Sequence, residues 1–281
     1  MINSLDHDEH DAYDTEPTAA WQLKMFSKSL KKQLKFDALM RMLGPVDRKK
    51  CLLISCGDNN GALNWHFRRF GGTWAWGDVE GDNIKEMAAF LGDPVHHTPE
   101  DAFPFEDDRF DRIVCIDVLE HLEDPDVFLG ELRRVLNPTG FTVVTVPNGD
   151  TKLAANKIKN LVGMTPEKYG HIRAGYTVKE LEQTLSQGGF KPFAQGGYSR
   201  FFTEMMELII NFAYVFVLAG KNKRNIEQDG KIAPTSSEEI KTHDKAFKAY
   251  SLIYPFMKVF SQLDRLQSSK SNNAVIVSAR K

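Results

Sequence analysis

FDRIVCIDVLEHLEDPDVFLGELRRVLNPTGFTVVTVPN, residues 110–148, is the stretch whose reading decides the fold. Two runs rich in β-branched and aromatic residues, Phe110–Asp117 and Gly140–Pro147, flank a segment with helical spacing, Pro125–Leu136. Asn137-Pro138-Thr139-Gly140 supplies the turn between helix and second run. Strand, helix, strand in this order is a βαβ unit. Strands this continuously apolar belong to a parallel sheet covered on both faces.

The alternation extends both ways. Upstream, Cys51–Ser55 (CLLIS) and Thr73–Val79 (TWAWGDV) read as strands, Ala62–Phe70 and Asn83–Leu91 as helices, and a shorter strand is expected near Val95. A helix over 19–43, capped by Thr18 and ended by Gly44-Pro45, precedes them. Downstream, 148–176 reads as a long connection, Thr177–Gln187 as a helix closed by Gly188-Gly189, and Phe190–Tyr198 as a sixth strand. Helical stretches over 200–220 and 237–267 bracket a polar segment, 221–236, before a final alternating strand, Ala274–Ala279. The chain thus divides into a disordered acidic tail (1–17), a covering helix (18–45), an α/β core (46–199), a helical insert (200–270) and a last strand returning to the core (271–281).

Composition bounds the function. With 281 residues, 42% hydrophobic and 26% charged, the chain supports one sizeable soluble core with an appended part. A net charge of −2 gives no field for nucleic acid, and no such partner is expected. Lys24, Lys28, Lys31, Lys32 and Lys35 make one face of the first helix basic. That face reads as solvated, with a weak contact to anionic lipid or a phosphorylated substrate as the functional alternative. Cys51, Cys56 and Cys115 lie in or beside apolar runs without zinc spacing, as buried thiols of a cytoplasmic protein do. The N-terminus lacks the apolar core of a secretory signal. The longest apolar run, Leu208–Ala219, is shorter than the roughly 18 residues of a spanning helix.

In such sheets ligands sit beyond the carboxyl ends of the strands. After the first strand, Gly57 lets backbone pass close to a ligand, Gly61 can open the next helix, and Asp58 and Asn59 tolerate left-handed turns. No GxGxxG is present, which disfavours a nicotinamide-dependent enzyme. About twenty residues on, Asp78 ends the second strand, where an acid commonly accepts from ribose hydroxyls. In TPEDAFPFEDDRFD (98–111), Glu100 or Asp101 can accept from an adenine amino group, and Phe103 or Phe105 can face its ring.

Leu119-Glu120-His121 at a strand end, Arg134-Val135-Leu136-Asn137-Pro138-Thr139-Gly140, and GHIRAGYTVKELEQTLSQGGF (170–190) together resemble the class I S-adenosylmethionine (SAM)-dependent methyltransferases. The match covers 50–198 and the last strand. The resemblance implies an α/β, Rossmann-like seven-stranded sheet, mostly parallel, with the last strand antiparallel between the fifth and sixth. It implies SAM as cofactor, held by Ser55, Cys56, Gly57, Asp58 and Gly61, by Asp78 and Val79, by Glu100, Asp101 and Ala102, and by Asp117 and Val118. The family's acid-x-Gly-x-Gly-x-Gly is altered: Leu53 replaces the acid, Ser55 the first glycine, and the spacing to Gly61 is longer. Asp58 can partly replace the lost acid beside a cationic cofactor.

The catalytic expectation is His121 as general base, with Glu120 beside it. His171, Arg173 and Tyr176 are expected to bind an anionic or sugar-like acceptor. Asp117, Glu120 and His121 also resemble the first three ligands of a divalent-metal site in catechol-type and RNA-end methyltransferase relatives, with His171 as a fourth; the alternative is that no metal binds. The apolar YSRFFTEMMELIINFAYVFVLAG (198–220) resembles bacterial methyltransferases thought to act in surface-glycan pathways. It fits a small helical core, a homodimer surface or a peripheral contact on the inner membrane face. The expected function is O-methylation of a small-molecule, lipid-linked or glycan acceptor. The rival is a non-catalytic scaffold of the same fold at the membrane.

Overall fold

A computed structural model describes residues 20–57, 59–212 and 244–281. The expected acidic tail, Thr18, Asp58 and the polar segment 221–236 lie outside the described residues.

Strands β1 (Lys50–Ser55), β2 (Thr73–Asp78), β3 (Val95–His97), β4 (Phe110–Ile116), β5 (Leu136–Pro147), β6 (Lys191–Tyr198) and β7 (Ala274–Arg280) form one sheet in the order β3-β2-β1-β4-β5-β7-β6. The β3–β2, β2–β1, β1–β4 and β4–β5 pairs are parallel. β7 runs antiparallel between β5 and β6, with Val144 opposite Val277 and Gly196 opposite Ile276. Strand order reverses between β1 and β4, so a crevice opens at their carboxyl ends, where ligands of such sheets bind.

Period-two alternation divides each strand between two cores. Leu52 and Ile54 face a core that includes Phe128, Leu129 and Leu132 of α5 (Pro125–Val135) and Leu181 and Leu185 of α7 (Val178–Gln187). Cys51 and Leu53 face the other, with Leu39 and Leu43 of α2 (Leu30–Leu43), Phe67 of α3 (Ala62–Arg68) and Met87 of α4 (Ile84–Leu91). Both faces are buried, which is why the strands read as apolar runs rather than as alternating ones.

Three differences from the sequence reading have local causes. The expected first helix is two: α1 (Trp21–Lys28) and α2 are separated by Ser29, which is extended (ψ 99°) and whose Oγ accepts from Lys32 N at 3.4 Å. A side-chain cap thus outcompetes helix continuation. β5 begins at Leu136, so Asn137–Gly140 lies within the strand, where Asn137 Oδ1 accepts from Thr139 N at 3.0 Å. The connection 148–176 contains α6 (Ala154–Leu161) and a 3-10 turn, Pro166–Tyr169.

Within the expected insert, α8 (Phe201–Phe212) packs on α2, α6 and α9 (Asp244–Ser261). Asp264, beyond α9, caps α8: its carboxylate accepts from Phe202 N at 2.8 Å and Thr203 N at 3.1 Å. A negative group at a helix N-terminus is favoured by both the open amides and the dipole. α8 is thereby held at the edge of the crevice.

Candidate active site

The turn after β1 is built around one carboxylate. Asp78 is fully buried and accepts from Ser55 Oγ at 2.9 Å, from Gly57 N at 3.2 Å and from Gly81 N at 3.0 Å. The serine that replaces a family glycine is thus a donor to this acid. Asp78 braces the turn from below instead of standing open toward a ribose, as the sequence led us to expect. Glu80, two residues on in the bend after β2, is exposed. A Cβ on Gly57 (φ +68°) would come 1.9 Å from Glu80 Oε2, and Cys56 Sγ is 3.8 Å from Glu80 Oε1. The glycine exists so that this carboxylate can lie over the backbone.

Asn59 and Asn60 do the work of the missing glycines. Asn59 donates to Ser55 Oγ at 3.1 Å and accepts from Gly61 N at 3.0 Å; Asn60 Oδ1 accepts from Ala62 N at 3.1 Å. Gly61, at φ +86°, opens α3. Val79 N donates to Ser55 O at 2.9 Å, tying the first two strand ends together.

Glu100, Asp101 and Ala102 are exposed on the loop after β3. Phe103 and Phe105, expected to face a base, are instead buried in the core, edge-on to Phe128 and Phe110. Arg134 explains the RVL motif. It donates to the carbonyls of Phe103 (3.1 Å) and Phe105 (2.8 Å) and to Glu131 at 2.7 Å, so it clamps this loop. Hydrogen bonding to Arg134 holds the Glu131 carboxyl below its usual range.

At the end of β4 the chain turns sharply: Asp117 has φ +49°. Its carboxylate pairs with the ammonium of Lys35, which reaches over from α2 and is itself buried. Val118 is fully buried, and Leu119–His121 form a 3-10 turn. The segment 170–176 is stitched onto that turn. Ile172 N donates to Glu120 O at 3.0 Å, Arg173 Nη2 to Leu122 O at 3.0 Å, and Tyr176 Oη to Leu119 O at 3.2 Å. Arg173 and Tyr176, expected to meet an acceptor, are therefore turned inward as fasteners.

His121 and His171 are edge-to-face, with ring centroids 4.9 Å apart. Ligating atoms of Glu120, His121 and His171 lie within 4.8 Å of one another, as do those of Cys56, Glu80 and His121. Asp117 belongs to neither group: the four-ligand metal set that the sequence offered as an alternative loses it to Lys35. Three groups that could hold a cation do converge, but without the second carboxylate.

Beyond His171 lies a cavity of about 150 Å³ between α2, α6, α8 and the end of β5. Its wall holds a buried charge cluster that sequence reasoning missed. Glu204, fully buried, bridges Lys31 (2.9 Å) and Lys159, and Ser199 Oγ donates to it. Burial alone would raise the Glu204 carboxyl, but Lys159 and Lys31 outweigh it and hold it far below its usual range. Glu207 accepts from Lys31 N at 3.3 Å, and burial pushes its carboxyl up. The available signal was the i, i+4 pair Lys31 and Lys35 on one side of α2, the first half-buried and the second buried.

A family model described as a methyltransferase domain matches residues 27–195. The chain belongs to this methyltransferase family, and its sheet is that of the SAM-dependent class. A curated relative is the ubiquinone biosynthesis O-methyltransferase of Parvibaculum lavamentivorans. It is 26% identical over 159 residues, covering 54% of this chain and 62% of that protein. This chain therefore matches less than two thirds of the relative's length. A SAM-dependent methyltransferase of Thermotoga maritima superposes with TM-score 0.53 at 14% identity, over 92% of this chain and 93% of that one. Phosphoethanolamine N-methyltransferase 2 of Haemonchus contortus, solved in complex with S-adenosyl-L-methionine, superposes with TM-score 0.52 at 15% identity, over 89% and 52%. Likeness at such identity speaks for the fold.

Proposed function

We propose that the chain transfers a methyl group from SAM to an oxygen of a small-molecule acceptor, with His121 as general base. The observation that carries this reading is the position of His121. A ring nitrogen of His121 lies within 4.8 Å of Cys56 Sγ, after β1, and of a Glu80 carboxylate oxygen, after β2, and a ring nitrogen lies equally close to Glu120 and His171.

The residues present fit the cofactor. An amino-acid end is a zwitterion, and the Lys35–Asp117 pair is its complement: the ammonium takes a carboxylate, the carboxylate an ammonium. Glu80 over Gly57 suits ribose hydroxyls, while Asp78 keeps the turn in place. Glu100, Asp101 and Ala102 are exposed to take the adenine edge. When bound, the sulfonium supplies an electrophilic methyl carbon, and the carbon–sulfur electrons return to sulfur as the acceptor oxygen takes the methyl.

His121 Nδ1 faces Gly170 O at 3.1 Å. A carbonyl can only accept, so Nδ1 carries the proton and Nε2 the lone pair. Nε2 takes the acceptor's hydroxyl proton. Alignment of acceptor and methyl supplies the rest of the acceleration.

Peripheral membrane contact belongs to the same proposal. α9 and the turn after it expose Leu252, Phe256, Val259 and Leu266, from 72% to 84% accessible. No helix among the described residues is long and apolar enough to cross a membrane. A row of this kind favours lying on a lipid surface that carries the acceptor. Vesicle flotation tests the contact; a dimer by sedimentation instead would give the face to a second copy.

Incubation with SAM labelled at its methyl carbon and a small-molecule extract tests the reaction. The label must appear as O–CH3, and His121→Gln must slow its appearance by about 10²–10⁴-fold. Label on nitrogen or carbon alone, or an unaffected rate, overturns the assignment.

A further inference from the structure

A cleft of about 640 Å³ lies between α1, α2 and α3, and no residue of the crevice lines it. Its lining is largely aromatic. The His66 imidazole packs on Phe26, with ring centroids 4.1 Å apart, and on Phe36, at 5.6 Å. Trp65 meets His66 edge-on at 4.9 Å, and the exposed Arg69 guanidinium lies over the Trp65 ring at 4.7 Å. Lys24 and Arg69 bring positive charge to the cleft, against one carboxylate, Asp37. Burial keeps His66 uncharged at neutral pH. Other lysines of the same helices are engaged elsewhere: Lys31 and Lys35 pair with Glu204 and Asp117, and Lys28 lies over the Tyr254 ring at 5.2 Å. Lys24 stands at the cleft.

We propose that this cleft is the docking surface of the chain's own N-terminal segment, residues 5–17, with Tyr13 on the aromatic lining and the neighbouring carboxylates toward Lys24 and Arg69. Charge gives the first reason. Asp6, Asp8, Glu9, Asp11, Asp14 and Glu16 stand in that segment, and residues 1–19 hold no lysine or arginine. A cleft with two cations and one carboxylate is its complement. Chemistry gives the second. Tyr13, between Asp11 and Asp14, brings an apolar ring with a polar tip, the kind of side chain that settles on aromatic surface at the edge of water. Connection gives the third. Leu23 and Lys24, in the first turn of α1, line the cleft, so the chain enters α1 beside it. Tyr13 lies seven positions before Ala20, a span of about 23 Å when extended. A tether this short sets an effective concentration on the order of millimolar, so a contact too weak to hold separate molecules suffices within one chain.

Paramagnetic broadening in the isotope-labelled full chain tests the proposal. A nitroxide is attached through Thr15→Cys; Cys51, Cys56 and Cys115 are buried, so the label goes to residue 15. The amide signals of Asp37, His66 and Arg69 should lose most of their intensity. Those of Leu129 and Leu185, in helices on the opposite face of the sheet, should keep theirs. Lys24→Glu combined with Arg69→Glu should restore most of the lost intensity, and Tyr13→Ser part of it. Both cations are exposed, so the reversal leaves the fold standing. Full intensity at Asp37, His66 and Arg69 before any reversal overturns the proposal. So does a loss that survives charge reversal and Tyr13→Ser alike, since nearness of the tether then accounts for it. A loss seen only when a nitroxide-bearing chain without isotope is mixed with an isotope-labelled chain without nitroxide gives the cleft to a second copy and also overturns it.

Discussion

Replacing Lys35 by methionine separates two jobs of one ammonium group. The Lys35 side chain is 10% accessible and that of Asp117 is 17%, so the deletion strands a carboxylate that water reaches poorly. Removing one partner of a fully buried pair costs about 3–5 kcal/mol, and the residual exposure here lowers this to about 2–3 kcal/mol. The double variant Lys35→Met with Asp117→Asn leaves no stranded charge, and asparagine tolerates the left-handed backbone at 117. Most of the lost stability should return. Cofactor binding should behave differently. A hydrogen bond from a charged group is worth about 1.5–3 kcal/mol, so affinity for S-adenosylhomocysteine (SAH) should fall about 10- to 150-fold in Lys35→Met. It should stay low in the double variant. Urea unfolding reads the first quantity and calorimetric titration with SAH the second. Native-like SAH affinity in Lys35→Met would show that the pair is only a structural tie and would refute the zwitterion assignment.

Other predictions concern the elements around that pair. Gly57→Ala should cost about 1–2 kcal/mol through left-handed strain and displace Glu80, weakening SAH binding measured in the same titration. Arg134→Lys loses the fork that holds Glu131 and two loop carbonyls at once; unfolding should show a loss of about 2–3 kcal/mol, with amide exchange rising over residues 98–109. EDTA should leave methyl transfer unchanged, because Asp117 is committed to Lys35; activity restored only by added divalent ion would reassign His121 and His171 as ligands. His66, packed against Phe26 of α1, is pushed down to about 4 by burial and then by Arg69. Its folded value is depressed, so its contribution is complete above the ordinary histidine range and is lost as pH falls toward about 4. The half-buried ring makes this about 1–2 kcal/mol, and His66→Leu should flatten that part of the stability–pH curve.

Most of the fold was legible because both faces of the sheet are covered. Runs such as CLLIS and FTVVTV have no other use than a buried strand, and the helices between them carry a clear stripe, as Phe128, Leu129, Leu132 and Val135 do in α5. The break at Ser29 was not legible, since nothing in the sequence shows that its hydroxyl caps α2 instead of facing solvent. Motif spacing placed Asp78 and His121 at strand ends and His171 in the loop after the fifth strand, but spacing says nothing of partners. Ser55 turned Asp78 into a brace, and Arg173 and Tyr176 turned inward to fasten the loop. Lys35 and Glu204 were invisible for the same reason in reverse: the first lies in a segment that reads as a covering helix and the second in one that reads as a helical insert, and only the packing of α2 on the sheet and of α8 on α2 and α6 brings them together with their partners.

The most direct test is a crystal structure of the full chain grown with saturating SAH. The nucleoside should lie at the carboxyl ends of β1 and β4, with its ammonium on Asp117, its carboxylate on Lys35 and its sulfur facing His121. A crevice still closed by Glu80 over Gly57 and by an intact Lys35–Asp117 pair, with SAH absent or bound elsewhere, would contradict the account.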